Sequence, residues 1–127
     1  MKIADFLSEI PGVASVLYPG RNDHPDHERA KQALGQNFGN MVSFVIRGGR
    51  AAANALIKAA PQIPFAPTLG DVATTLSHPA SSSHRGLTEL ERKAIGIDEG
   101  FFRLSVGIED PSLICDELSK AIAEAVA

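Results

Sequence analysis

Apolar side chains recur along this chain in two rhythms, and the rhythms divide it into elements. Ile3, Phe6, Leu7 and Ile10 fall on one face of a 3.6-residue repeat, which predicts a short helix stopped by Pro11-Gly12. Val13 to Tyr18 is β-branched and aromatic, a strand closed by the turn pair Pro19-Gly20. Pro25 suits the first position of a helix, with Asp26 and Glu28 at the positive end of its dipole and Gly35 as its stop after Leu34. Met41 to Ile46 is nearly continuous in apolar residues, so a central strand buried on both faces is expected there. Gly48-Gly49 turns the chain into an alanine-rich helix reaching about Ala60, which Pro61 and Pro64 break.

The second half repeats the pattern. Val72 to Leu76 reads as a strand ended by His78-Pro79. Thr88 with Glu91 forms a capping box that starts a short helix, and Gly96 ends it. Phe101 to Val106 alternates between two faces, as a strand does. Asp110 caps a last helix with Pro111 at its first position and a stripe of Ile114, Leu118, Ala121, Ile122 and Ala125. The expected fold class is α+β: an open, mainly antiparallel sheet of about four strands, with about five helices packed mainly on one face. Connections containing helices are expected to alternate with direct strand-to-strand turns.

Composition narrows the field. The 127 residues suit one domain, 1–127, and 44% hydrophobic with 21% charged residues excludes a disordered chain, a coiled coil and a collagen-like repeat. The net charge of −3 gives no basic footprint for nucleic acid. Residues 1–63 carry seven basic and five acidic groups, whereas 64–127 carry five basic and ten acidic. No apolar stretch approaches the roughly 20 residues that span a bilayer, so no membrane partner is expected. The opening MKIADFLSEI lacks a secretory pattern, and the single cysteine, Cys115, cannot form an internal disulfide; a cytoplasmic location is the expectation.

Several residues tempt a chemical reading. His24 and His27 could face one side of a helix, but a zinc site needs three or four ligands, and an exposed helix start explains them better. Cys115 is read as a small core residue, since nothing near it in sequence would lower its pKa. Ser81, Ser82, Ser83 and His84 lack the Gly-x-Ser-x-Gly context of a nucleophile and read as a polar loop; a hydrolase using Ser83 and His84 is the remote alternative. Gly48-Gly49 lacks phosphate-loop spacing and reads as a turn.

Arg103 stands apart, because strand interiors seldom carry an isolated guanidinium. It lines up with Phe101 and Ser105, opposite Phe102, Leu104 and Val106. On a rigid strand it could clamp a carboxylate through two parallel N–H···O bonds. On pattern alone, an edge strand with Arg103 facing water is the favoured reading.

Several segments together resemble one family. Tyr18-Pro19-Gly20 with His24-Pro25-x-His27, Gly39-x-Met41-x-Ser43-Phe44 with Gly48-Gly49, Thr68-Leu69-Gly70-Asp71, His78-Pro79-Ala80 leading to His84, Ala94-x-Gly96-Ile97, and Phe102 through Asp110 (FRLSVGIED) occur in one order across essentially all 127 residues. The chain is similar to the C-terminal domain of the Cys/Met-metabolism, or trans-sulfuration, group of pyridoxal-phosphate-dependent enzymes of fold type I. The resemblance implies that Arg103 binds the α-carboxylate of an amino-acid substrate, with Thr68 and Leu69 lining the same pocket. It implies pyridoxal 5′-phosphate in the parent enzyme, held by a large domain that this chain lacks. None of Lys2, Lys31, Lys58, Lys93 and Lys120 sits in the anchoring lysine's context.

The isolated chain is therefore expected to be inactive, to hold no cofactor covalently, to pair with a large domain if one is separately encoded, and to self-associate. Three departures bear on substrate. Thr68 replaces the family's serine, Pro67 stands where members acting on cystathionine tend to carry glutamate, and Ala73-Thr74 replaces a frequent Glu-Ser pair. The implied parent reaction is elimination or replacement on O-acylhomoserine, methionine or cysteine-type substrates. A free-standing, non-catalytic domain binding a partner or small carboxylate is the alternative.

Overall fold

A computed structural model describes residues 1–127. In chain order the elements are α1 (Lys2–Glu9), β1 (Val13–Leu17), α2 (His27–Leu34), β2 (Met41–Ile46), α3 (Gly49–Ala59), β3 (Thr75–Ser77), a 3-10 turn at Pro79–Ser81, α4 (Glu89–Ala94), β4 (Phe101–Ser105) and α5 (Pro111–Ala125). The sheet order is β1-β2-β4-β3, with all three pairings antiparallel. An α+β domain with an open antiparallel sheet is therefore what these residues form.

The local signals at helix ends act as the sequence predicts. The Thr88 hydroxyl accepts the Glu91 N–H while the Glu91 carboxylate accepts the Thr88 N–H, which completes the capping box. The Asp110 carboxylate accepts the Ser112 N–H, and Pro111, which has no N–H, occupies the first turn. Both arrangements satisfy donors that a helix start leaves without partners.

One face of the sheet carries the core. Val42, Phe44 and Ile46 of β2, Phe102 and Leu104 of β4 and Leu76 of β3 meet Ile3, Ala4 and Leu7 of α1, Ala52, Ala53 and Leu56 of α3, and Ile114, Cys115, Leu118, Ala121 and Ile122 of α5. Phe44 and Phe102 stack at a centroid separation of 5.6 Å, across a directly paired position of the ladder. α2 buries no residue and α4 buries only Arg92, so these two helices decorate the layer rather than build it.

Four expectations need correction. β2 is interior to the sheet, yet its burial alternates, with Met41, Ser43 and Val45 half-buried, because no helix covers their face. β3 is three residues long and begins at Thr75 rather than Val72: Val72 is 70% exposed, and Ala73 and Thr74 give their N–H groups to Asp71 and Glu109 side chains instead of a ladder. α2 starts at His27, not Pro25, since the Asp26 N–H is drawn to His24 Nδ1 in a turn. Every strand-to-strand connection contains a helix, so the direct turns are missing.

Candidate functional site

β4 is an inner strand, flanked by β2 and β3, which removes the edge-strand reading of Arg103. Arg103 pairs with Ser43 on one side and Ser77 on the other, and Ser43 pairs onward with Leu17. Directly paired residues point to the same face. The helix-free face therefore bears a cross-sheet row Leu17–Ser43–Arg103–Ser77. Flanking it are the rows Ser15–Val45–Phe101 and Met41–Ser105–Thr75. The guanidinium rises from the middle row, among small hydroxyl side chains that leave it room.

Arg103 is half-buried, and its Nε lies shut from solvent with no hydrogen-bond partner. It joins none of the ion pairs, whereas Arg21, Arg50 and Arg92 each hold a carboxylate. Buried donors are seldom left without acceptors. A bidentate anion that met Nε–H and one terminal N–H together would satisfy it.

The loop carrying Thr68 and Leu69 lies over the adjoining row. The Gly70 N–H donates to Ser105 Oγ at 2.9 Å, and Thr75 Oγ1 donates to the Thr68 carbonyl at 3.4 Å. Ser105 and Thr75 are cross-strand partners, so the two latches sit side by side beneath the loop. Ser105 is two residues from Arg103 on the same strand, roughly 7 Å along it. The structure thus brings the loop of Thr68 and Leu69 to the row beside Arg103, with both residues exposed.

A second clamp fixes the far end of this segment. Glu109 accepts the Thr74 N–H at 2.7 Å with one oxygen and the Thr74 hydroxyl at 2.8 Å with the other. The Gly107 N–H reaches Thr74 Oγ1 at 2.9 Å and the Ile108 N–H reaches the Val72 carbonyl at 2.9 Å. The bond from the Thr74 backbone is the main cause holding the Glu109 carboxyl below its ordinary range. A Cβ at Gly107 would collide with the Val72 carbonyl, so the close approach requires glycine there.

Sequence pattern placed Ser105 on Arg103's face but did not reveal its bond to Gly70. Glu109, Thr75 and Asn40 carry no local signal of a role, and Thr74 stands out only as half of the Ala73-Thr74 departure. Their partners lie 7 to 66 residues away, too far for a local pattern to reveal.

The other candidates resolve into structural roles. His24 Nδ1 accepts the Asp26 N–H, while His27 stacks on Phe38 and bonds through Nδ1 with the Pro19 carbonyl. Gly48 and Gly49 turn with φ of +95° and +59°, as a tight entry to α3. Cys115 is buried, and burial pushes its thiol up, away from nucleophilic use. Ser83 Oγ lies 2.8 Å from the neighbouring His84 Nδ1 on the surface, and no carboxylate pairs with His84.

His78 is fully buried against Phe102, with ring centroids 5.0 Å apart. Its Nδ1 meets Ser81 Oγ at 2.7 Å and its Nε2 meets the Glu99 carbonyl at 2.8 Å. Arg50 and Arg92 both hold the Glu99 carboxylate at 2.5 Å, and Arg50 also reaches Ser81 Oγ. These groups form a closed polar ring that ties α3, the 3-10 turn, α4 and the entry to β4. Burial is the main cause that lowers the His78 pKa, and the Arg92 hydrogen bond is the main cause that lowers that of Glu99.

Comparison with known proteins settles the lineage. A family model described as Cys/Met metabolism PLP-dependent enzyme matches residues 1–123. The chain belongs to the Cys/Met-metabolism family of pyridoxal-phosphate-dependent enzymes. An L-methionine gamma-lyase of Fusobacterium nucleatum subsp. polymorphum is 40% identical over 121 residues, covering 95% of this chain and 30% of that protein. An O-succinylhomoserine sulfhydrylase of Pseudomonas aeruginosa is 37% identical over 123 residues, covering 97% and 30%. A cystathionine gamma-lyase of Mus musculus is 37% identical over 125 residues, covering 98% and 31%.

The chain spans about 30% of the length of these Cys/Met-metabolism relatives. Pyridoxal phosphate is the family's cofactor. The residues present here do not make a covalent anchor for it. All five lysines lie exposed on helices, one on each of α1 to α5, and Lys93 is paired with Glu89 at 2.8 Å. A lysine that forms an imine with a cofactor must stand desolvated beside it. No helix is long and apolar enough to cross a membrane.

Proposed function

We infer that residues 1–127 act as the C-terminal, substrate-carboxylate-binding domain of a pyridoxal-phosphate-dependent enzyme of sulfur amino-acid metabolism. The parent reaction is elimination or replacement on an O-acylhomoserine, methionine or cysteine-type substrate. The observation that carries this reading is the Arg103 guanidinium, standing on an inner strand with a buried, unpartnered Nε beside the Thr68–Gly70 loop. In it, Arg103 grips the α-carboxylate through two N–H groups and so fixes the orientation of the Cα substituents. The Thr68 hydroxyl and the Leu69 side chain line the approach. This is positioning, and its benefit to rate is entropic. Carbanion stabilisation belongs to the cofactor and to the large domain that holds it.

The test is a hybrid in which this chain replaces the matching stretch of the Fusobacterium L-methionine gamma-lyase. Elimination from L-methionine is expected, with Arg103→Lys raising KM about ten- to a hundredfold, the equivalent of a lost charge-assisted contact. An active hybrid indifferent to Arg103→Gln overturns the assignment. The isolated chain, mixed with pyridoxal phosphate, gives no borohydride-fixed adduct; a stable adduct at one lysine, with turnover, contradicts the reading.

The five surface lysines favour one second reading, a non-catalytic module that binds a small carboxylate or a partner. A separately encoded large domain that co-purifies with the chain and restores activity decides for the split enzyme. In either reading the helix-free sheet face, with Leu17 exposed on it, is expected to drive self-association of the isolated chain. Sedimentation as a monomer at high concentration rules that out.

A further inference from the structure

Ser105 is 1% exposed, although its side chain lies on the face of the sheet that no helix covers. What covers it is the loop of Thr68 to Gly70. That loop leans on two adjacent side chains with opposite hydrogen-bonding roles. Ser105 Oγ accepts the Gly70 N–H, and Thr75 Oγ1 donates to the Thr68 carbonyl. Between the two attachments sits Leu69, whose own side chain is 61% exposed and therefore does nothing to seat the loop. Gly70 has φ of +78°, a left-handed turn open to glycine, which redirects the backbone there.

Ser105 is itself held in place. Asn40 Nδ2 donates to the Val106 carbonyl at 3.0 Å and reaches Ser105 Oγ at 3.4 Å. The Val106 N–H in turn donates to the Asn40 carbonyl at 2.9 Å. The end of β4 is thus locked to the start of β2, and the hydroxyl is fixed between Asn40 below and Gly70 above. Arg103 rises from the next row of the same strand.

We propose that Ser105 is a positioning residue for carboxylate capture: its hydroxyl seats the Thr68–Gly70 loop beside Arg103, so that affinity at the guanidinium depends on a group that does not touch the ligand. This rests on the carboxylate reading of Arg103. A loop released from Ser105 samples many conformations, and ordering it again on binding costs free energy that a seated loop has already lost.

The experiment uses the 127-residue chain, isotopically labelled, with L-methionine as the probe and the Arg103 Nε–H resonance as the reporter. A lone guanidinium–carboxylate contact sets a Kd on the order of 10–100 mM. In Ser105→Ala the Gly70 amide exchanges about tenfold faster and the Kd for L-methionine rises about fivefold or more. Ser105→Thr, which keeps the hydroxyl and suits a strand, restores both. With the Gly70 amide resonance as the reporter, Arg103→Gln abolishes the shift that L-methionine induces while Gly70 exchange stays slow. Thr75→Val removes only the second latch and weakens binding by less, which keeps the test available if Ser105→Ala folds poorly.

The failures are separable. A wild-type Arg103 resonance that ignores L-methionine, or responds equally to the carboxylate-free L-methioninol, overturns the carboxylate reading itself. A wild-type chain that binds, with Ser105→Ala loosening Gly70 but leaving Kd unchanged, overturns the positioning role alone. Unchanged Gly70 exchange in Ser105→Ala also overturns it.

Discussion

The two faces of the sheet are made by the same strands, residue by alternate residue, and they obey different rules. On the helix-covered face the side chains are large, apolar and fully buried: Phe44, Ile46, Leu76, Phe102 and Leu104. On the other face the central positions are Ser43, Arg103, Ser77, Ser105 and Thr75. The first set is redundant, since each member packs on several others. The second works through single hydrogen bonds with defined donors and acceptors. Burial is also high on the second face at Thr75 and Ser105, yet there it goes with the latched Thr68–Gly70 loop rather than with a helix layer. Stability resides on the first face, and the unpartnered guanidinium resides on the second.

The largest expected effect breaks the covered face. Phe102→Ala removes a ring stacked between Phe44 and His78 and is expected to cost about 3–5 kcal/mol, read by urea unfolding. A loss under about 1 kcal/mol shows that this layer repacks freely. Next comes the polar ring at its margin. Glu99→Gln leaves the buried Arg92 without its anionic partner and is expected to cost about 2 kcal/mol in the same assay.

Acid sharpens the contrast. His78 has a lowered pKa in the folded chain, so as pH falls through about 6.5 the unfolded chain takes up the proton first. The stability that a neutral His78 contributes is full above that pH and declines as pH falls towards the folded value. The melting temperature of the wild type should fall between pH 6.5 and 5, and His78→Asn should flatten the slope. Parallel slopes for the two proteins reject this. Glu109, also lowered, acts further down: its contribution is present above the ordinary glutamate range and is lost as pH drops through the folded value.

On the open face the effects on stability shrink. Glu109→Gln loses charge-assisted bonds at the loop's end and is expected to cost about 1 kcal/mol. Arg103→Gln should change stability by no more than about 0.5 kcal/mol, because the guanidinium makes no bond that folding depends on. A large destabilisation by Arg103→Gln assigns it a structural role and removes the distinction between the faces.

Sequence reading succeeded where the governing interactions are local. The Thr88–Glu91 box and the Asp110–Pro111 start involve neighbours within three residues, so their chemistry is written in a short window. The alternation of Phe101 to Ser105 likewise assigns faces without any knowledge of partners. It failed where a distant partner decides. Val72 to Thr74 looks strand-like but is captured by Asp71, Glu109 and Gly107, two of them more than 30 residues away. The apolar run of Met41 to Ile46 suggested two buried faces, and composition could not tell that Ser43, Val45 and Met41 would look away from every helix. Arg103 was found as an anomaly of pattern, but the seat beneath Thr68 and Leu69 depends on Ser105 meeting Gly70 across 35 residues.

The rim of the sheet next to β3 has a bearing on how this chain can be altered. Ala66 gives its N–H to the Leu76 carbonyl and the Leu76 N–H returns to the Pro64 carbonyl, with Phe65 bridged in parallel to Leu76. This stretch finishes β3's outer border, and Pro64 and Pro67 lack the N–H groups that an incoming strand would need. The same few residues lead directly into Thr68. Engineering that rewrites residues 64–68 to admit a new side chain would also unseal a border against strand addition, so such libraries should be screened for fibril formation alongside turnover.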